Sequence, residues 1–207
     1  MRLECISDLH GFYPDLQGAD ILIVCGDLTE CDKPEQHLEF MEWLVSLSDQ
    51  YQHIIYIAGN HDSYYVDVEP FELYNIHYLC DSCVVIDDFK FWGIPWTPVY
   101  HNWHFMKDNA GMEDVCAKIP EDVDVLITHG PSYGILDTNF EKRSCGSPAL
   151  RNHVERVEPL VHVFGHIHEK HHKYLILKCN KYDVRCVNCS VRDEKYTPIN
   201  KTMIVEI

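Results

Sequence analysis

What most constrains this chain is a repeated arrangement: short apolar runs that each end in residues able to hold a metal. The run at 3–7 (LECIS) leads into Asp8-Leu9-His10, that at 21–25 (ILIVC) into Gly26-Asp27, and that at 54–58 (IIYIA) into Gly59-Asn60-His61-Asp62. The run at 123–128 leads to His129-Gly130, and that at 161–164 to Gly165-His166-Ile167-His168. Continuous apolar runs of this length predict central strands covered on both faces. Ligand sites of open α/β sheets form at the carboxyl ends of such strands. Glycine there lets the chain turn sharply and lets backbone approach a ligand closely. Asp8/His10 and His166/His168 are i, i+2 pairs, so an extended backbone would aim both members the same way.

Helical patterns lie between some of the runs. Asp32-Lys33-Pro34-Glu35 predicts a helix start capped by Asp32, with apolar Phe40, Met41, Leu44, Val45 and Leu47 following in a stripe. Ser147-Pro148 predicts a second start, with Leu150, Val154 and Val157 on one face and Pro159 as its stop. A weaker helix is expected at about 108–118. The stretches 84–86 and 90–94 predict a hairpin around Asp87-Asp88, and 174–179, 182–190 and 203–207 predict antiparallel strands. No repeat, low-complexity tract or linker interrupts the 207 residues, so one α/β domain over 1–207 is expected, with layered sheets covered by helices.

Charge narrows the partners. Seventeen Lys and Arg face 33 Asp and Glu, a net charge of −16. Duplex nucleic acid and anionic membranes call for basic stripes, so neither is expected as a partner. A small anionic substrate remains compatible, because bound cations invert the local sign. The chain starts MRLECISDLHG, without a secretory pattern, and its longest stretch free of acidic and basic residues, 91–106, contains two prolines and two histidines and is too short and polar to span a membrane. Ten cysteines fall short of a disulfide scaffold, and several sit inside apolar runs, so a cytoplasmic protein with reduced thiols is expected.

The strand-end residues form one donor set. Carboxylates, an amide oxygen and imidazoles suit borderline divalent metals such as Mn, Fe or Zn. Asp8, His10, Asp27, Asn60, His129, His166 and His168 are too many for one tetrahedral ion and fit two ions if a carboxylate bridges. Asp-x-His, Gly-Asp or His-x-His alone reads as an ordinary turn or a surface histidine, and Gly-Asn-His-Asp alone is evenly balanced between a turn and a metal site. Their occurrence together, each at a strand end, points to a dinuclear hydrolytic centre.

In this order, D8-x-H10, G26-D27, G59-N60-H61-D62, H129 and G165-H166-x-H168 resemble the full signature of the calcineurin-like metallophosphoesterases. The stretches WGIPWTP (92–98), THGPSYGILD (128–137), CGSPAL (145–150), VHVFGHIHE (161–169) and VNCSV…YTPIN (187–200) are similar to its MPPED-type metallophosphodiesterase branch. The resemblance implies a four-layer α/β/β/α sandwich, two mixed sheets flanked by helices, with a dinuclear site. It implies Asp8, His10 and His168 at a first metal, Asn60, His129 and His166 at a second, and Asp27 bridging. It further implies a phosphodiesterase using a metal-bridging hydroxide on small phosphodiesters or cyclic nucleotides, with manganese favoured in vitro and His61 as general acid. Asp27 is thereby counted with His61 among the catalytic residues, and Asn60 and His61 among those touching substrate. Two departures matter. Asp27 is followed by Leu-Thr-Glu rather than the Val-Asp-Arg-Gly of Ser/Thr protein phosphatases, which disfavours that substrate class. His168 is followed by Glu-Lys-His-His rather than Glu-Gly-Tyr-Gly. The rival readings are a phosphomonoesterase or nuclease of the same fold, and a non-catalytic metal-binding scaffold. Scaffold relatives have degraded ligands, and none is missing here.

Other features carry a plainer reading beside the functional one. Cys80-x-x-Cys83 and Cys186-x-x-Cys189 lack ribbon spacing, and an i, i+3 pair in a strand faces opposite sides, so ordinary thiols are favoured over zinc. The aromatic stretch Trp92, Trp96, Tyr100, Trp103, His104 and Phe105 serves packing or the stacking of a base. Arg143, in a loop between two motifs, is either a solvated arginine or a bidentate phosphate ligand. Asp62 either orients His61 or caps a turn.

Overall fold

The computed structural model describes residues 1–63, 75–199 and 201–207; Asn200, at the end of the YTPIN stretch, lies outside them. The strands β1 (Arg2–Ile6), β2 (Ile21–Cys25) and β3 (His53–Ile57) run parallel at the centre of one sheet. That sheet is completed by β4 (Ile76–Tyr78) beside β3 and by β13 (Met203–Glu206), antiparallel to β1. The second sheet has the order β11 (Lys173–Leu177), β12 (Val184–Asn188), β10 (Val161–Phe164), β9 (Val125–Thr128), β6 (Phe89–Ile94), β5 (Ser82–Ile86). Its four inner strands are parallel and its two edges antiparallel. A short parallel pair, β7 (Thr97–Pro98) and β8 (Met106–Lys107), stands apart.

The layering follows from alternation along buried strands. Ile21, Ile23 and Cys25 face the second sheet, joining Leu3, Cys5, Ile55 and Ile57 against Phe91, Val125, Ile127, Val161, Val163 and Val187. Leu22 and Val24 point the other way, onto Phe40, Met41, Leu44 and Leu47 of α1 (Pro34–Leu47). On the outer face of the second sheet, Ile94, Leu126, Phe164 and Cys186 pack under Met112 and Val115 of α2 (Asn109–Cys116) and Leu150 and Val154 of α3 (Pro148–Val157). Helix, sheet, sheet and helix are thus stacked as the resemblance implies, each strand of the interior losing both faces to apolar neighbours. No helix among the described residues is long and apolar enough to cross a membrane.

Sequence and structure agree closely on most elements. Ser147 caps α3 by accepting from Leu150 N (3.1 Å), and Asp108 caps α2 through Gly111 N (2.8 Å). Asp87 and Asp88 both adopt positive φ (48° and 68°), the conformation that closes a tight two-residue hairpin. Two expectations need correction. Asp32 does not cap α1; Lys33 holds that position, while the Asp32 carboxylate accepts from Ser63 N (2.7 Å) and meets His37 Nε2 (2.8 Å), partners that draw it away from the helix amides. The C-terminal strands are not simply antiparallel: β12 pairs with β11 antiparallel but with β10 parallel, and β13 crosses to the other sheet. Cys186 and Cys189 fall on opposite faces, in different cores, as their spacing suggested.

Away from the strand-end loops, the charged side chain of Glu4 is also wholly buried. Glu4 accepts from Gln17 N and Gly18 N (both 2.8 Å), Tyr51 Oη (2.7 Å) and Thr202 Oγ1 (2.6 Å), tying β1 to three other segments. Removing the acceptor leaves several buried donors unsatisfied. Glu4→Ala is therefore expected to cost about 3 kcal/mol in urea unfolding. A loss under about 1 kcal/mol would show that the network contributes little.

Candidate metal centre

The five loops that leave the central strands meet over one edge of the two sheets. At the end of β1 the chain does not stay extended. Asp8 (φ 59°) and His10 (φ 46°) are both left-handed, as are Asp27 (φ 52°) and His166 (φ 65°). Such conformations cost a non-glycine residue on the order of 1 kcal/mol or more and persist where surroundings over-determine them. Here the surroundings are explicit. Asp8 N and His10 N donate to Gly26 O and Asp27 O (both 3.0 Å), zipping the first loop to the second. His166 N donates to both oxygens of Asp8 (3.0 Å each), and His61 N donates to Asp27 Oδ1 (2.9 Å). Gly59 and Gly165 permit the close approach: a Cβ on Gly59 would fall 2.4 Å from Asp27 Oδ1, and one on Gly165 2.3 Å from Asp8 Oδ2. Asp8 and His10 do fall in one donor group, through tight left-handed turns rather than an extended backbone, whereas His166 and His168 fall in two different groups.

All seven candidate ligands come together. The donor atoms of Asp8, His10 and His168 lie within 4.8 Å of one another, and so do those of Asp27, His129 and His166. Asn60 Oδ1 sits 3.0 Å from His129 Nε2, beside the second group. Asp27 faces both groups: Oδ2 is 3.7 Å from His10 Nε2 and Oδ1 is 3.3 Å from His129 Nε2. That is the placement a bridging carboxylate needs.

The electrostatics suit cations. Burial opposes charge on Asp8, yet His168, with His129 beyond it, outweighs burial and holds the carboxyl down at about 2. Burial likewise opposes charge on Asp27, and His129 and His10 hold it well below the usual carboxylate range. Burial drives His10 down to about 4 and His166 to about 3, leaving neutral rings with lone pairs to give. His129 goes the other way: burial opposes, but Asp27 draws it up to about 9. Its Nδ1 faces Cys25 O (2.8 Å), which fixes Nε2 toward Asn60 and Asp27. His10 Nε2 is buried with no hydrogen-bond partner among the described residues. A buried donor set that pairs carboxylates with imidazoles, one of them orphaned, fits divalent ions of the Mn, Fe and Zn type.

His61 stands beside this group, its ring 4.7 Å from that of His10. Its Nδ1 donates to Glu30 O (2.9 Å), so Nε2 is left for the site. Asp62 does not orient that ring. It accepts instead from Leu28 N, Thr29 N and Gly59 N (3.0, 2.9 and 2.8 Å), pinning the loop after β2 to the loop after β3. The aromatic stretch divides. Trp92, Trp96 and Phe105 pack inside, whereas Trp103 stacks on His61 (4.4 Å, 28°) and Tyr100 lies 5.5 Å from His166. Arg143 is exposed, 3.2 Å from Glu141, on the wall of a cleft of about 680 Å³ that opens onto Asp27, Asn60, His166 and His168. Reasoning from sequence missed Tyr196, whose ring packs on His168 (4.5 Å) and His10 (5.4 Å), and Arg192, which donates to Leu9 O and His10 O (2.8 and 3.2 Å). Both follow β12, and nothing in their local pattern carries them back to the loop after β1.

Comparisons with known proteins agree with this geometry. Residues 1–170 match the family model of the calcineurin-like phosphoesterases. Metallophosphoesterase domain-containing protein 1 of Homo sapiens is 35% identical over an alignment 237 positions long, covering 100% of this chain and 71% of that protein. Among solved structures, TT1561 of Thermus thermophilus superposes with a TM-score of 0.65 at 14% identity, covering 99% of this chain and 97% of that one. The phosphopantetheinyl hydrolase PptH of Mycobacterium tuberculosis gives 0.60 at 15%, covering 98% and 95%. At such identities these two speak for the fold alone, whereas the family match and the human relative reach through the loops that carry the donor set. With that set drawn to one sheet edge, the chain belongs to the calcineurin-like phosphoesterase family, metal-dependent hydrolases of phosphoric esters.

Proposed function

We propose that this chain is a phosphodiesterase for small phosphodiesters, cyclic or linear nucleotides among them, working with two divalent ions and with manganese in vitro. The charge of the cleft wall carries the diester reading. Among the described residues that line it, Arg143 is the one arginine or lysine, set against Glu141, Glu169 and Glu194. A phosphomonoester brings a charge of about −1.5 to −2 at pH 7. A diester brings a single charge and replaces the second with an uncharged arm. A wall this acidic favours the latter, and Tyr100, Phe140 and Tyr196 along it offer apolar contact to such an arm.

The bound ions supply Lewis acidity at the phosphoryl oxygens and an acidified water as nucleophile. Asp8, His10 and His168 would hold one ion, Asn60, His129 and His166 the other, and Asp27 would reach both. His61, fixed through Nδ1 on Glu30 O, delivers a proton from Nε2 to the departing ester oxygen. Asn60 and Arg143, which both line the cleft, would contact the phosphoryl oxygens. The ten thiols, all free, support a reducing compartment, the cytoplasm.

Three outcomes test this reading. Asp27→Ala and His129→Ala should each lower Mn²⁺-dependent turnover of an aryl phosphodiester about a thousandfold with circular dichroism unchanged. Full activity in either folded variant contradicts the assignment. His61→Ala should lose about 10²–10⁴-fold toward poor leaving groups and far less toward good ones. Equal losses remove the general-acid role. Titration of Mn²⁺ into metal-free protein should release protons, because His129, drawn up to about 9, is protonated at pH 7 and must give up that proton to bind. Affinity should therefore rise with pH until that value is passed. Calorimetry in buffers of different ionisation enthalpy reads the release directly, and its absence would place the metal elsewhere.

A further inference from the structure

A second cavity of about 560 Å³ adjoins the cleft, and the two share His61, Tyr100, His101 and Tyr196 on their walls. The first cavity contains the ligand-bearing trough, with Asp27, Asn60, His166 and His168. The second touches the donor set only at His10 and is lined besides by the supports of His61, Glu30 and Trp103, together with Cys31 and Arg192. A cleavage site flanked by two cavities has room for both arms of a diester. We propose that the second cavity is the leaving-group subsite and that it takes a flat, uncharged aromatic alcohol. This rests on the phosphodiesterase reading above.

Three observations assign that chemistry. One face of Trp103 is stacked on His61, yet the residue stays 44% exposed, so its remaining surface is an aromatic platform open to the cavity. The single arginine there, Arg192, is engaged by the carbonyls of Leu9, His10 and Tyr196 and faces one acid, Glu30, so the cavity offers no surplus charge to an ionic arm. His61 stands at the boundary between the two cavities, and with Nδ1 engaged by Glu30 O its Nε2 is the atom left to face the bond between phosphorus and the leaving oxygen. The balance is that of hydrolysis: water forms the new bond to phosphorus, the bond to the leaving oxygen breaks, His61 protonates that oxygen, and a proton of the consumed water replaces the one given. The products are a phosphomonoester, left in the acidic cleft, and the aromatic alcohol, left on Trp103. An acidic wall speeds the departure of the more highly charged product.

The test compares two phosphodiesters that share one arm and differ in the leaving arm, one aryl and one fluoroalkyl, matched in leaving-group acidity. The wild type should hydrolyse the aryl diester faster. Trp103→Ala should erase that preference, costing the aryl diester about tenfold more than the fluoroalkyl one, and Trp103→Phe should restore it. Trp103 also supports the His61 ring, so a purely structural role would lower both substrates alike, and that result overturns the subsite. A second readout needs neither metal nor turnover. Saturation transfer from metal-free protein to phenol should be present in the wild type and Trp103→Phe and weakened in Trp103→Ala; transfer indifferent to residue 103 overturns the proposal. Transfer that depends on Trp103 without hydrolysis of either diester leaves the aromatic site standing and refutes the phosphodiesterase reading instead.

Discussion

Two carboxylates, Asp8 and Asp27, are buried where the two sheets meet, and the rest of the centre is organised around the need to neutralise them. An ionised carboxylate away from water is costly unless it is paired and hydrogen-bonded. Each here has both kinds of partner: Asp8 has His168 and the amide of His166, Asp27 has His129, His10 and the amide of His61. These contacts join loops from opposite sheets, so the same interactions that satisfy the charges also fix where the imidazoles point. The left-handed turns at Asp8, His10, Asp27 and His166 are strain that this network holds in place.

A chain of net charge −16 that handles an anionic substrate looks contradictory until charge is placed. The acidity lies on the outer surface and along the cleft wall. The centre itself gathers imidazoles around its two acids and leaves His10 Nε2 without a hydrogen-bond partner among the described residues, an arrangement that suits added positive charge. The two cavities that flank His61 give the site a polarity, one side rich in carboxylates and the other floored by an aromatic ring.

Much of this was legible in the sequence because it depends on short-range pattern. Runs such as 21–25 and 161–164 coincide with β2 and β10, since a strand buried on both faces leaves an unbroken apolar signature. The residues that the structure gathers at the sheet edge were legible for the same reason, each standing just beyond such a run. What escaped depends on contacts distant in the chain. Asp32 reads as a helix cap until Ser63 and His37 are seen to claim its carboxylate. Asp62 reads as a partner for His61 until the amides of Leu28 and Thr29 are brought to it from the loop after β2. The parallel pairing of β12 with β10 and the contact of Tyr196 with His168 involve the order of strands across a sheet, which periodicity does not encode.

The most direct measurement is anomalous diffraction at the manganese edge from crystals of the chain soaked in Mn²⁺. The account requires two peaks about 3.5–4 Å apart, with Asp27 between them, Asp8, His10 and His168 around one, and Asn60, His129 and His166 around the other. A single ion, or peaks outside this ring of side chains, would contradict it.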